Sequence, residues 1–158
     1  MAQRKSWREK LADSKDLPKV VKITGRMSRR WGSGTVAIAA PSEVDAIMKR
    51  VRRGKLITIN EIRGLIAEKH GATIGCPITT GIFAWIAAHA AEEAAADGAK
   101  RVTPYWRTLK SGGELNHKYP GGIEGVKLRL EAEGHRVVAK GKRFFVAEYE
   151  KRLAPIGA

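Results

Sequence analysis

Apolar residues return at helical spacing in several stretches of this chain. Val44, Ile47, Met48 and Val51 fall at i, i+3, i+4 and i+7, which predicts a helix from Pro41–Ser42 with one buried face and Gly54 closing it. A second helix is expected over Asn60–Lys69, burying Ile62, Leu65 and Ile66 and stopping at His70-Gly71, with Thr58 and Glu61 in capping-box spacing. Pro77 opens a third, about twenty residues long, to Ala96. Ile123, Val126 and Leu130 predict a fourth, from about Gly122 to Glu133, ended by Gly134. Trp7 and Leu11 share one face of a short helix to about Ala12. Strand character is confined to Thr35–Ala39, to Lys55–Ile59, and to Arg136–Ala139 with Lys142–Val146, a hairpin turned at Lys140-Gly141. A last helix is expected at Glu148–Leu153.

This order predicts a mainly α fold with small β elements. The helices over 60–69 and 77–96, joined by a short Gly-containing turn, form a helix-turn-helix candidate, and the hairpin has the place of a wing. The expected organisation is a basic N-terminal arm over residues 1–35 and a winged-helix-like DNA-binding domain over 36–158. The 77–96 helix carries no Lys or Arg. Thr79, Thr80, Gly81 and Ala84 are small enough to let a helix approach a DNA backbone, while Phe83, Trp85 and Ile86 are equally suited to packing. On the hairpin, Lys140, Lys142 and Arg143 either contact DNA or protect an edge ribbon.

The stretch Pro104-Tyr105-Trp106-Arg107, followed by Lys110, Ser111 and a Gly pair, sets aromatic faces beside cations. Such a group stacks on a base and holds its phosphates. The alternative is a buried strand end in which both rings are core.

Charge narrows the partners. Thirty Lys and Arg against 16 Asp and Glu give +14, and residues 1–30, with ten cations and three anions, supply half of it. A polyanion is the expected partner, nucleic acid before a membrane surface. The arm either wraps the domain, contacts nucleic acid or remains a solvated tail. One cysteine, Cys76, leaves no intramolecular disulfide, and the four His show no metal-ligand spacing, so no cofactor or metal is expected. The longest apolar run, within Ile82–Ala91, is too short for a bilayer. A cytoplasmic, nucleoid-associated setting is expected, and a monomer, since no heptad seam demands a dimer.

The motif order over roughly residues 41–135 resembles the DNA-binding domain of the alkylguanine-DNA alkyltransferases. Val51-Arg-Arg-Gly54-Lys-Leu-Ile-Thr58-Ile59-Asn60-Glu-Ile62 is similar to the family's opening pattern of Gly, Val, Thr-Tyr and Ile. Ser111-Gly-Gly113, Tyr119-Pro-Gly121-Gly122 and Lys127-Leu-Arg-Leu130-Glu-Ala-Glu133-Gly134 match its later motifs. Pro104-Tyr105-Trp106-Arg107 stands where the family has Pro-Cys-His-Arg.

The resemblance implies a helix-turn-helix that enters the minor groove and flips out a damaged guanine, whose alkyl group a Cys thiolate takes with the help of a His held by a Glu. Here Tyr105 replaces the Cys and Trp106 the His, and only the Glu is kept, as Glu133. A phenol beside an indole that cannot accept a proton replaces neither partner, so alkyl transfer at this centre is not expected. The Tyr after the opening Thr is Ile59, and no Arg stands near Thr80–Gly81 to fill the gap a flipped base leaves. An aromatic in place of the Cys resembles the alkyltransferase-like branch, which binds alkylated guanine and marks it for repair proteins. The implied base pocket is Pro104, Tyr105, Trp106, Arg107 and Tyr119. The implied double-stranded DNA contacts are Thr58, Asn60, Thr79, Thr80, Gly81, Ala84, Arg107, Lys110 and Ser111, with Lys140, Lys142 and Arg143 on the hairpin. Two alternatives stand beside this reading: a sequence-tolerant DNA-binding regulator or nucleoid protein, and alkyl transfer to Cys76, which precedes a helix N-terminus.

Overall fold

A computed structural model describes residues 5–155. Ser6 caps the first helix, α1 (Trp7–Ala12), through a capping box with Glu9. β1 (Lys19–Lys22) leads through α2 (Met27–Trp31) into β2 (Thr35–Ile38), and the two strands pair antiparallel from Lys19–Ile38 to Lys22–Thr35. The part of the chain expected as an arm thus shares a sheet with the domain, through a strand whose four residues are all exposed.

α3 (Pro41–Lys49) buries Val44 and Met48, as its spacing predicts. The short β3 (Ile57–Thr58) runs directly into α4 (Ile59–His70), which turns at Gly71 in the left-handed region. β4 (Ile74–Gly75) pairs parallel with β2, so the turn of the helix pair is itself a sheet edge. A Cβ on Gly75 would collide with the Arg63 carbonyl, and the Arg63 Nε donates back to the Gly75 carbonyl at 2.9 Å. Only glycine permits this closure.

α5 (Pro77–Ala96) follows, with the bounds its Pro77 predicts. One side of it is alanine: Ala84, Ala87, Ala88, Ala90 and Ala91 are buried and let α3 and α4 pack close. A 3-10 turn (Tyr105–Arg107), β5 (Thr108–Leu109, parallel to β3), α6 (Gly122–Ala132) and the hairpin β6 (Val137–Lys140)–β7 (Arg143–Val146) complete the body. Met48, Leu56, Ile57, Ile62, Ile66, Leu109, Leu115 and Leu130 form the centre of the core.

Two expectations are corrected. Thr58 does occupy the N-cap of α4, but its side chain makes no cap hydrogen bond; it is buried as a β3 residue paired with Leu109. The last helix is a 3-10 turn over Tyr149–Arg152, and Leu153 bridges to Leu56, so sheet-like pairing stops the helix there.

Candidate nucleic-acid interface

The segment 104–107 lies under α5 and α6. Tyr105 is 2% exposed, and its hydroxyl donates to Glu92 Oε1 of α5 at 2.8 Å. Tyr119, 3% exposed, meets it edge-on at 5.6 Å, and Trp106 does so at 5.3 Å. Burial, and after it the Glu92 carboxylate, push the Tyr105 phenol well above its ordinary pKa; burial does the same to Tyr119. Trp106 Nε1 donates to Glu133 Oε2 at 2.9 Å. Arg107 gives Glu133 its Nε at 2.9 Å and Nη2 at 2.8 Å, and its Nη1 donates to the Val51 carbonyl at 2.7 Å. The Gly54 N–H adds a fourth donor to that carboxylate. Burial works against the charge on Glu133, but these donors, Arg107 first among them, outweigh it and hold the carboxylate below its ordinary range. Arg129 lies over the Trp106 ring at 4.3 Å and reaches Glu92 at 3.1 Å.

The chemistry this permits is limited. Glu133 still receives a ring N–H, but an indole nitrogen has no lone pair in the ring plane to take a proton onward. A neutral phenol bound as a donor is not a nucleophile. The rings therefore meet the core reading of this stretch: of the expected base pocket, Tyr105, Trp106 and Tyr119 are buried in one bonded cluster, while Pro104 and Arg107 are partly exposed at its margin. Arg107, expected to meet a phosphate, is paired here with Glu133 and the Val51 carbonyl.

Open space lies on the other side of α5. A groove of about 900 Å3 has Ile78, Gly81, Ile82, Trp85 and His89 along one wall. Its other wall is Lys110 with Asn116, His117 and Lys118 from the loop before Tyr119. Ile78 and Ile82 are 58% and 46% exposed. Trp7 of α1 buttresses this face, stacked on His89 at 4.4 Å and edge-on to Trp85 at 4.8 Å. Glu93 accepts the N–H groups of Trp7 and Arg8, and the Arg8 guanidinium also bridges Glu93 and Asp97.

No family model and no curated protein matches the sequence. Solved structures do. A Schizosaccharomyces pombe ATL crystallised with DNA superposes with a TM-score of 0.52 at 20% identity, over 73% of this chain and 94% of that one. A second, S. pombe Atl1 with damaged DNA containing O6-carboxymethylguanine, has a TM-score of 0.48 at 18% identity over the same shares. The fold is that of an alkyltransferase-like protein.

Within this alkyltransferase-like fold, the residues expected at the interface divide. Gly81 and Lys110 line the groove, and Thr79 lies partly exposed near its start. Asn60 and Ser111 meet at 2.8 Å on the exposed surface, joining the start of α4 to the turn after β5. Lys140 and Lys142 are exposed at the hairpin tip. Thr80 and Ala84 face the core: Thr80 is 2% exposed and donates to the Cys76 carbonyl at 2.6 Å, and Ala84 is wholly buried. Arg143 is held by Glu114 at 2.8 Å. Cys76 is buried at the α5 N-cap, its Sγ receiving the Thr79 N–H at 3.5 Å. Among the described residues no cluster of three or more His, Cys, Asp or Glu could hold a metal.

Sequence reasoning missed Trp85, His89 and the Asn116–Lys118 loop. A signal was present: Ile78, Ile82, Trp85 and His89 recur at i, i+4, i+7 and i+11, on the side of α5 away from its alanines. A helix apolar all round has two faces to account for.

Proposed function

We propose that this chain is a DNA-binding protein that reads alkylated guanine and does not accept the alkyl group. The observation that carries the reading is Tyr105, closed in the core and bonded to Glu92 at the place where the resemblance puts an acceptor thiolate. The alkyltransferase-like fold, the net charge of +14 and the groove walled by Lys110 and Lys118 support DNA as the ligand. On this reading α5 lies against the duplex with Gly81 at the closest approach, and the hairpin-tip lysines neutralise flanking phosphates. The bound complex is then the mark that a repair partner finds. Cys76 is not favoured as an alternative acceptor, because its sulfur is buried and receives a backbone N–H.

The test is fluorescence anisotropy with matched duplexes, one containing guanine and one O6-methylguanine, across a salt series. Tighter binding of the methylated duplex, with affinity falling steeply as salt rises, is the expected result. Equal affinities would remove lesion reading and leave the sequence-tolerant binder, which the dispersed cations of the arm and hairpin favour.

A further inference from the structure

We propose that a cationic cleft at the C-terminal end of α3 binds the phosphate backbone of a second DNA duplex, so that one molecule holds two duplexes together. The proposal rests on the DNA-binding reading, which supplies the first duplex, and adds a site on another face.

The cleft, about 760 Å3, is lined by Lys49, Arg50, Arg52 and Lys55 with Ala154 and Pro155. All four cations are exposed, and no carboxylate among the described residues lines the space. Lys49 alone has an acidic partner, Asp45 at 3.1 Å, and that carboxylate is 5% exposed and already accepts the Thr103 hydroxyl at 2.6 Å. The dipole of α3 does not account for the rest. Its influence ends within the last turn, where Lys49 sits, and Arg52 and Lys55 lie beyond it. Arg53 is used differently, donating to the Ala132 carbonyl at 3.0 Å. Like charges gathered this closely repel one another in the unbound protein, and an anion relieves them. The backbone already closes one side of the cleft: Leu56 N–H donates to the Arg152 carbonyl at 2.9 Å, and Ala154 N–H to the Leu56 carbonyl at 2.8 Å. Binding there has little backbone left to order.

Phosphate is the anion these residues fit. Two guanidiniums present forks that match phosphate oxygens, and the lysines add point charges. No aromatic ring lines the cleft for a base to stack on, and Ala154 and Pro155 offer too little apolar surface to hold the side chains of an acidic peptide. Cations without a stacking face hold a backbone and read no sequence. Placement makes the duplex a second one. α3 packs on the alanine side of α5, whereas the groove of α5 opens on the other side. About 20 Å, two helix thicknesses, lies between them.

The experiment loads the full chain onto a biotinylated duplex held on beads and offers a second, fluorescent duplex. The wild type is expected to capture the label. With three unpaired cations meeting phosphates, a fourfold rise in salt should weaken that capture by about fortyfold per protein retained on the beads. A triple variant, Arg50→Ala with Arg52→Ala and Lys55→Ala, should keep the wild-type affinity for a single duplex by anisotropy, which shows that it folds, and lose the capture. A second triple variant, Arg26→Ala with Arg29→Ala and Arg30→Ala, removes the same charge elsewhere and should still capture. Equal loss in both variants overturns the proposal in favour of diffuse charge. Capture that survives the first variant overturns it too, since the duplexes are then joined by paired protein molecules. A first variant that no longer binds a single duplex places the cleft on the first face and overturns it. Cleft-dependent binding of a fluorescent oligoglutamate, with no capture of DNA, overturns it in favour of an acidic partner. A wild type that binds one duplex and captures no other sinks this site alone, whereas failure to bind any duplex at low salt sinks the DNA-binding reading with it.

Discussion

The Arg107–Glu133 pair is a strong test of how the centre is built, because it can be broken with one atom changed. Glu133→Gln keeps the shape of the side chain and removes its charge. In the wild type the carboxylate takes donors from Arg107, Trp106 and Gly54, with only 5% of the Glu133 side chain and 13% of Arg107 exposed. Breaking a buried pair from one side costs about 3–5 kcal/mol, since the remaining charge has no counter-ion. Gln retains one acceptor oxygen, which places the expected loss near the lower end, about 3 kcal/mol. With a urea m-value of about 2 kcal/mol/M, the unfolding midpoint should fall by about 1.5 M at pH 7. The difference must also depend on pH. A carboxyl held below its ordinary value contributes stability above that value, about 4.3, and loses it as pH falls through the folded value. The gap between wild type and variant should therefore narrow as pH drops below about 4.3. A midpoint shift under about 0.3 M at pH 7, or a gap that widens in acid, would refute this account of the centre.

Three further outcomes are expected. In a spectrophotometric alkaline titration, Tyr105 and Tyr119 should stay un-ionised past pH ~10 and titrate only as the fold is lost; phenols raised in this way contribute stability that is full below pH ~10 and is lost as pH climbs from there through their raised folded values, so early ionisation of all three tyrosines would contradict their burial. Trp7→Ala removes two aromatic contacts and should cost about 1–3 kcal/mol, with hydrogen exchange speeding in residues 7–12; unchanged exchange would mean α1 is not held by the ring. Gly81→Arg enters open space on α5, so it should stabilise the free protein by about 0.5–1 kcal/mol but, standing where α5 comes nearest the duplex, weaken DNA binding; an unchanged affinity would place α5 away from the DNA.

Local signals made much of this fold legible. Pro77 sets the start of α5, the Val44–Met48 spacing sets α3, and Gly141 lies in the turn of the hairpin between two apolar ladders. What escaped was non-local. β1 is Lys-Val-Val-Lys with every residue exposed, so no alternation marks it, and only its pairing with β2 makes it a strand. β4 is two residues inside a turn that sequence assigns to a linker. At the site, motif order places Tyr105, Trp106 and Glu133 together, and they do meet. It cannot say which way the rings face. That is decided by Glu92, thirteen residues upstream on α5, which takes the Tyr105 hydroxyl. The groove depends likewise on α5 meeting a loop some thirty residues later, which no spacing within either element reveals.

The central claim is that this protein holds alkylated DNA and leaves it unrepaired. The most direct measurement incubates the full chain with duplex carrying radiolabelled O6-methylguanine, confirms complex formation by anisotropy, and then takes the intact mass of the protein and the label count of the DNA. The expected result is a saturable complex, an unchanged protein mass and all label still on the guanine. A methyl-sized mass gain on the protein, at Cys76 or anywhere else, would contradict it.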